Sequence, residues 1–380
     1  MNLEKLISKL DYEYQFVKNN KYWDYNKTYN LSLNGKDYEV SENDILLNVS
    51  HDIVNGIDKN FVKKNNIDDY EIPNIDVEQM KAIVINFFMN INPNFSNRIK
   101  FILSNTNFIK YDDNISSDLQ RSVTNQNGIK LYYKNDLKSL VTLAHEISHG
   151  ISNLDDNCKF NNANKVDSFA EIESELTEEM FLEYLKNINL QIRDKNSNEG
   201  IRNLNNNDID DINYNKYKSA VYLSYRAIDE LEFKNLVKDK KIGNIDANLI
   251  DKLSIFMNIR KEEIIKKIER FIKEYYPGDD LAHNYLGKKN YDLKNGKHLS
   301  NECRFIYAYC FLEKFNNMNL DYKEKCEFYK NYLENAKNMS FQCVLQSFNV
   351  NLFNLHSFSD EFINKFNELL NKDNSIHRSI

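Results

Sequence analysis

The chain has 380 residues, 41% of them apolar and 13% aromatic, with 50 Lys and Arg against 57 Asp and Glu for a net charge of −7. That much aromatic surface excludes a solvated, disordered chain, and an acidic balance without a concentrated basic block excludes a basic nucleic-acid binder. With only 9 Gly and 3 Pro there are few helix breakers, so a mainly helical protein is expected, in which the abundant asparagines supply caps and loops.

Cys158, Cys303, Cys310, Cys326 and Cys343 are odd in number and contain no CxxC pair, so neither a disulfide framework nor a thiolate metal site is expected. Scattered reduced thiols fit a cytoplasmic protein. The opening MNLEKLISKLDYEY lacks the apolar core of a signal peptide. The longest apolar run, 82–88, is broken by Asn86 and falls far short of the ~20 residues of a membrane span, so no membrane partner is expected.

In chain order, residues 1–75 are mixed, with one clear local signal. The stretch from Tyr29 to Val40 reads as a hairpin, because Asn34-Gly35 supplies the two positive φ angles of a type I′ turn. Met80, Ile83, Val84, Phe87 and Phe88 recur at helical spacing, which predicts a helix over 77–90 that ends before Pro93. Ile129 to Tyr133 alternates weakly between Asn-rich turns and predicts a short strand. Asn135 or Asp136 then caps a helix reaching about Ser152. Residues 153–165 read as a loop. A helix over 166–186 follows, with an apolar stripe of Phe169, Ile172, Leu176, Met180, Phe181 and Tyr184. Residues 187–212, dense in Asn and Asp, read as a loop or insertion. Beyond them helices are expected at about 213–238, 244–257, 260–275, 300–317, 322–336 and 358–371. The division expected is a mixed α/β N-terminal part, 1–120, and a helical catalytic domain, 121–380.

The chemistry lies in LKSLVTLAHEISHG, residues 137–150, which contains His145-Glu146-Ile147-Ser148-His149. On a helix, positions i and i+4 project from one face a turn apart, so both imidazoles can reach one zinc ion. Glu146, one step round the helix, can then hold a water beside it as general base, the geometry of a metal-assisted hydrolase. A tetrahedral site needs a further protein ligand. The helix after it carries Glu171, Glu173, Glu175, Glu178, Glu179 and Glu183. Glu171, Glu175 and Glu178 share a face, and spacing alone does not choose between Glu171, 22 residues after His149, and Glu175, 26 after it. Glu173, Glu179 and Glu183 read as an ordinary solvated face.

The stretch SFAEIESELTEE, residues 168–179, following LVTLAHEISHG, resembles the zinc helices of the thimet oligopeptidase and oligoendopeptidase F family, whose pattern is approximately tLaHExGH and fvAEiaSxxxE. The resemblance implies a gluzincin-type zinc metallopeptidase with a helical catalytic domain and one zinc per chain. It implies that His145, His149 and Glu171 are the ligands, and that Glu178 accepts a hydrogen bond from a ligand histidine, with Glu175 a candidate for the same duty. A further block, Lys297 to Tyr309, is similar to the family's histidine and tyrosine-rich helix. This implies that Tyr307 and His298 donate to the oxyanion, and that Tyr309 lies in the substrate cleft. The strand at 129–133, ending at Tyr133, resembles the family's edge strand, which pairs with an extended peptide.

The chain departs from the pattern in several places. Ser148 stands where the family has Gly, and Ser152 or a neighbour stands where it has a further histidine. Only 144 residues precede His145, fewer than in full-length members, so a more open cleft is expected. The expected function is zinc-dependent hydrolysis of oligopeptides. The alternatives weighed are a dedicated, toxin-like endoprotease acting on one protein, and a non-catalytic helical binding protein with a structural zinc. His51, His356 and His377 have no ligand-spaced partner, and His283 falls in a turn that could border the cleft.

Overall fold

Few breakers and repeated apolar stripes produce a mainly helical protein with a small three-stranded mixed sheet. The computed structural model describes residues 28–33, 36–57, 75–115, 120–125, 128–155, 157–159, 169–188, 190–193, 201–238, 301–350 and 356–376. The expected helices at 244–257 and 260–275, together with His298, His283 and His377, lie outside them. The chain divides into two compact units, Met1–His51 with Ser224–Cys303 and Asp52–Leu223 with Arg304–Ile380.

In the first unit, strands β1 (Thr28–Leu33) and β2 (Lys36–Ser41) run antiparallel with Leu33 opposite Lys36. That register leaves a two-residue link at Asn34-Gly35, the length an Asn-Gly hairpin turn requires, although those two residues are themselves outside the described set. Helix α1 (Glu42–Gly56) follows β2 directly.

The second unit is built round helix α4. Ahead of it, α2 (Val77–Ile91) starts at Asp76, whose carboxylate accepts from the Gln79 amide at 2.9 Å, and it buries Met80, Ile83, Val84, Phe87 and Phe88, the five residues of its apolar stripe. Each such side chain contributes roughly 2 kcal/mol relative to exposure. A 3-10 turn at Pro93–Phe95 leads into α3 (Ser96–Ser104). The sheet comprises β3 (Asn107–Lys110), β4 (Val123–Asn125) and β5 (Gly128–Tyr133), in the order β3-β5-β4. Strand β5 is parallel to β3 and antiparallel to β4, so the expected strand at 129–133 is the middle strand and not an edge. Each partner covers part of it, β4 pairing with Gly128–Lys130 and β3 with Lys130–Tyr133. The weak three- and four-residue partners gave no period for a sequence reading to detect.

Lys134, Asn135 and Asp136 turn the chain from β5 into α4 (Leu137–Asn153), with Asn135 at φ 58°, a left-handed conformation that Asn tolerates. The Asp136 carboxylate accepts from the Ser139 amide at 2.8 Å and caps the helix. Leu137, Leu140, Leu143, Ala144, Ile147 and Ile151 are fully buried. Gly150 matters for packing, because a Cβ there would meet the Ile102 side chain at 2.7 Å, and its absence lets α3 lie close against α4.

Helix α5 (Ile172–Asn187) packs on α4. It starts later than the expected 166: residues 169–171 form a turn and Glu171 is the cap residue, though its carbonyl already accepts the Glu175 amide at 3.0 Å. The 171, 175, 178 register is therefore preserved. A short hairpin, β6 (Gln191–Arg193) and β7 (Ile201–Asn203), and the first turns of α6 (Asn206–Lys238) occupy what read as a loop at 187–212. Helices α7 (Asn301–Asn316), α8 (Tyr322–Asn335), α9 (Phe341–Ser347) and α10 (His356–Ile376) complete the chain. Their aromatic residues pack on one another in the core, with Phe311 tilted on Phe348 at 4.9 Å and edge-on to Phe358 at 5.0 Å. Among the described residues no helix is long and apolar enough to cross a membrane.

Candidate active site

Helix α4 projects His145 and His149 from one face, their ring centroids 4.9 Å apart and nearly perpendicular. Both Nε2 atoms face the same oxygen of Glu171, at 3.4 Å from His145 and 3.2 Å from His149. One ligand atom from each of the three residues falls within 4.8 Å of the others. The spacing argument left Glu171 and Glu175 open, and here Glu171 is the carboxylate on the Nε2 side of both rings.

The opposite ring nitrogens are also occupied. Glu178 Oε1 lies 2.7 Å from His145 Nδ1, and Glu173 Oε1 lies 3.0 Å from His149 Nδ1. A carboxylate at Nδ1 fixes the tautomer that leaves Nε2 free to ligate. Glu173 thus departs from the sequence reading: it is fully buried and backs a histidine instead of forming a solvated face. Glu183 is exposed as expected, while Glu179 is half-buried. The reason is that the first two turns of α5 are buried all round, from Ile172 to Thr177, so its polar residues pack inward. Ser174 donates to the Glu171 carbonyl at 2.9 Å, and the Thr177 hydroxyl meets the Tyr329 hydroxyl of α8. The helix is also held from α2, where Phe87 meets Phe181 edge-on at 5.0 Å.

The charges around the rings are strongly coupled. Burial disfavours the charged imidazoles, but the Glu171 and Glu173 carboxylates outweigh it and raise His149 to about 9. His145 is likewise raised well above its ordinary value, against burial, by Glu171 and Glu178. Glu171 is held well below the usual carboxylate range, despite burial, by the two histidines. Glu175 Oε2 lies 2.5 Å from Nζ of Lys216 of α6, and Glu178 Oε2 lies 3.1 Å from the same atom. Burial and repulsion from Glu178 push Glu175 up to about 7. For Glu178 burial is overcome by the Lys216 charge and the His145 hydrogen bond, which bring it down to about 2.

Glu146 is buried on α4, one residue round from His145. Thr124 of edge strand β4 places its hydroxyl 2.6 Å from Glu146 Oε2 and 2.9 Å from the Glu146 carbonyl, and its one proton can serve either acceptor. Ser148, where the resemblance expects glycine, is fully buried and donates to the His145 carbonyl at 2.6 Å, so the hydroxyl is satisfied within the helix.

The two tyrosines of α7 diverge. Tyr307 is 1% exposed and its ring meets Phe169 edge-on at 5.8 Å. Tyr309 lies beside the acidic cluster, its ring centroid 5.8 Å from Lys216 Nζ, and burial together with the charges of Glu175, Glu178 and Glu171 raises its phenol well above the ordinary value. Phe305, a turn earlier, stacks on His145 at 6.5 Å. Tyr133 ends β5 half-buried, with its ring edge-on to Phe108 at 6.2 Å.

Thr124, Glu173 and Lys216 were not singled out by sequence reasoning. Nothing in a three-residue strand marks Thr124, and Lys216 sits in a helix of low amphipathicity among other polar residues. Glu173 was recoverable only from its place between Ile172 and Ser174, both of which are buried.

Against a metal's requirements the donor set fits: two imidazole nitrogens oriented by carboxylates and one carboxylate oxygen suit zinc. The helix pair and the sheet beside it form a mainly helical fold with a small mixed sheet. Among solved structures, the chain is similar to PZ peptidase A with inhibitor 2, at a TM-score of 0.52 and 13% identity, over 86% of this chain and 58% of that one. It is also similar, at a TM-score of 0.42 and 11% identity, to a structure described as a candidate peptidase from Chlamydophila abortus, over 97% of this chain and 56% of that one. The chain thus spans less than two thirds of the length of either. No protein-family model and no curated protein matches the sequence.

Proposed function

We propose that the protein is a zinc-dependent peptidase that hydrolyses oligopeptides, with His145, His149 and Glu171 holding one zinc ion. The observation that carries this reading is the convergence of His145 Nε2, His149 Nε2 and Glu171 Oε2, with Glu146 adjacent on the same helix. The resemblance of the two helices to those of oligoendopeptidase F, and the fold shared with PZ peptidase A, support the same class.

Zinc held there would supply Lewis acidity, lowering the pKa of water and polarising the scissile carbonyl. The protein's own groups do the rest. Glu146 takes the proton of the attacking water and delivers it to the departing amine, with Thr124 holding the carboxylate in place between turnovers. Glu178 and Glu173 keep both imidazoles in the Nδ1–H form. Tyr309, beside the cluster, is a better-supported oxyanion donor than Tyr307, which sits against Phe169. His298 keeps its proposed place as a second donor on the resemblance alone. A buried general-base carboxylate has no duty in a purely structural zinc site, which favours catalysis over a binding role.

The test is metal analysis with a peptide-length series on wild type and Glu146→Gln. The expectation is one zinc per chain in both, cleavage by wild type, and a fall in kcat of about 10²- to 10⁴-fold in the variant. Zinc-loaded wild type that cleaves no peptide of any length would overturn the peptidase reading.

A further inference from the structure

Lys216 is a buried cation that the proposed chemistry does not use. Its side chain is 5% exposed and projects from α6 into the acidic face of α5. There its Nζ lies 2.5 Å from Glu175 Oε2 and 3.1 Å from Glu178 Oε2, with the Tyr309 ring over it at 5.8 Å. The other oxygen of Glu178 is the one 2.7 Å from His145 Nδ1. One carboxylate therefore bridges a lysine on α6 and a histidine on α4.

We propose that Lys216 is a positioning residue of the zinc centre: it acts through Glu178, gripping one carboxylate oxygen so that the other stays aimed at His145 Nδ1. This inference rests on the zinc reading given above. Two observations carry it.

The first is charge. Glu171, Glu173, Glu175 and Glu178 are packed within two turns of α5, and burial disfavours the charged form of each carboxylate. Lys216 is the base in contact with Glu175 and Glu178 and stands among them as a fixed positive charge. The second is geometry. Glu175, Glu178 and His145 together present three ligand-type atoms within 4.8 Å, and the ammonium sits against the two carboxylates of that group. The group is thereby committed to an internal cation and to His145. A carboxylate held by a cation at one oxygen presents the other to Nδ1–H in a fixed orientation, which raises the basicity of the ligating Nε2.

A merely structural lysine would affect folding and leave zinc affinity of the folded protein unchanged. The experiment measures zinc affinity by chelator competition on metal-free Lys216→Met, Lys216→Arg, Glu178→Gln and Lys216→Met with Glu178→Gln. Far-UV circular dichroism confirms folding, and imidazole nitrogen NMR reads the His145 tautomer. Lys216→Met is expected to weaken zinc by about tenfold or more and to disturb the His145 Nδ1–H signal but not that of His149. Lys216→Arg, which keeps the charge, is expected within about threefold of wild type. In the double variant the loss is expected to be no greater than in Glu178→Gln alone, because Lys216 acts through that residue.

Unchanged affinity in folded Lys216→Met, or losses that simply add in the double variant, would overturn the proposal. If Lys216→Met does not fold, Lys216→Arg and the double variant decide, since the double variant removes the lysine together with one carboxylate charge. His145→Ala is the control for the underlying reading. If it too binds zinc like wild type, the zinc site is wrong, whereas failure of the lysine variants alone refutes only the positioning role.

Discussion

His145 and His149 sit a turn apart on one helix and face one oxygen of Glu171, yet the groups behind them differ. Behind His145 is Glu178, whose second oxygen meets the Lys216 ammonium. Behind His149 is Glu173, whose oxygen at the ring also has the Ser152 hydroxyl at 3.2 Å. One carboxylate is tied to a full charge on another helix, the other to a neutral hydroxyl on the same helix as the histidine. Charge-assisted contacts are roughly twice as strong as neutral ones. As the proposed ligands, the two histidines would be held in the same tautomer by different means, and the His145 side draws distant chain into the site.

The largest effect expected is from the residue the two sides share. Glu171→Ala removes the carboxylate between both Nε2 atoms, and zinc affinity is expected to fall by 10³-fold or more, on the order of 4 kcal/mol. Chelator competition measures it. If affinity is retained with Glu175 needed in its place, the two histidines do not share a ligand and the comparison collapses.

Next comes the contrast itself. Glu178→Gln and Glu173→Gln each keep an acceptor for Nδ1–H while removing the charge. Losses between about tenfold and a hundredfold are expected for such partners, with Glu178→Gln the larger because it also leaves Lys216 facing an amide. Equal losses would show that the lysine adds nothing to the His145 side.

Each side was legible in the sequence only in part. His145, His149 and Glu146 follow from helical spacing alone, and the five buried residues of α2 follow from the same periodicity. Glu171, Glu175 and Glu178 share a face by their spacing. Glu173 was lost because the rule that a charge run is solvated assumes a helix with one face in water, and the start of α5 has no such face. Thr124 and Lys216 were lost because their roles depend on which strand is the edge and which helix crosses α5. Those are tertiary facts with no local period. Strand β5 was correctly placed along the chain, but its middle position in the sheet depends on β3 and β4, segments too short to announce themselves.

The smallest effect tests the neutral side. Ser152 is 1% exposed, and its single proton is shared between the Glu173 carboxylate and the His149 carbonyl, each at 3.2 Å. Neither contact is short, and both acceptors keep other partners. Ser152→Ala is therefore expected to cost about 1 kcal/mol of folding stability in a denaturant titration. Its zinc affinity should change by less than about threefold, because Glu173 stays in place through its contact with His149. If Ser152→Ala instead weakened zinc as much as Lys216→Met, a hydroxyl would be holding its carboxylate as firmly as a buried ammonium, and the two sides would be equivalent. The threefold against tenfold difference between those variants is the most direct measure of what a charge contributes behind a ligand histidine in this fold.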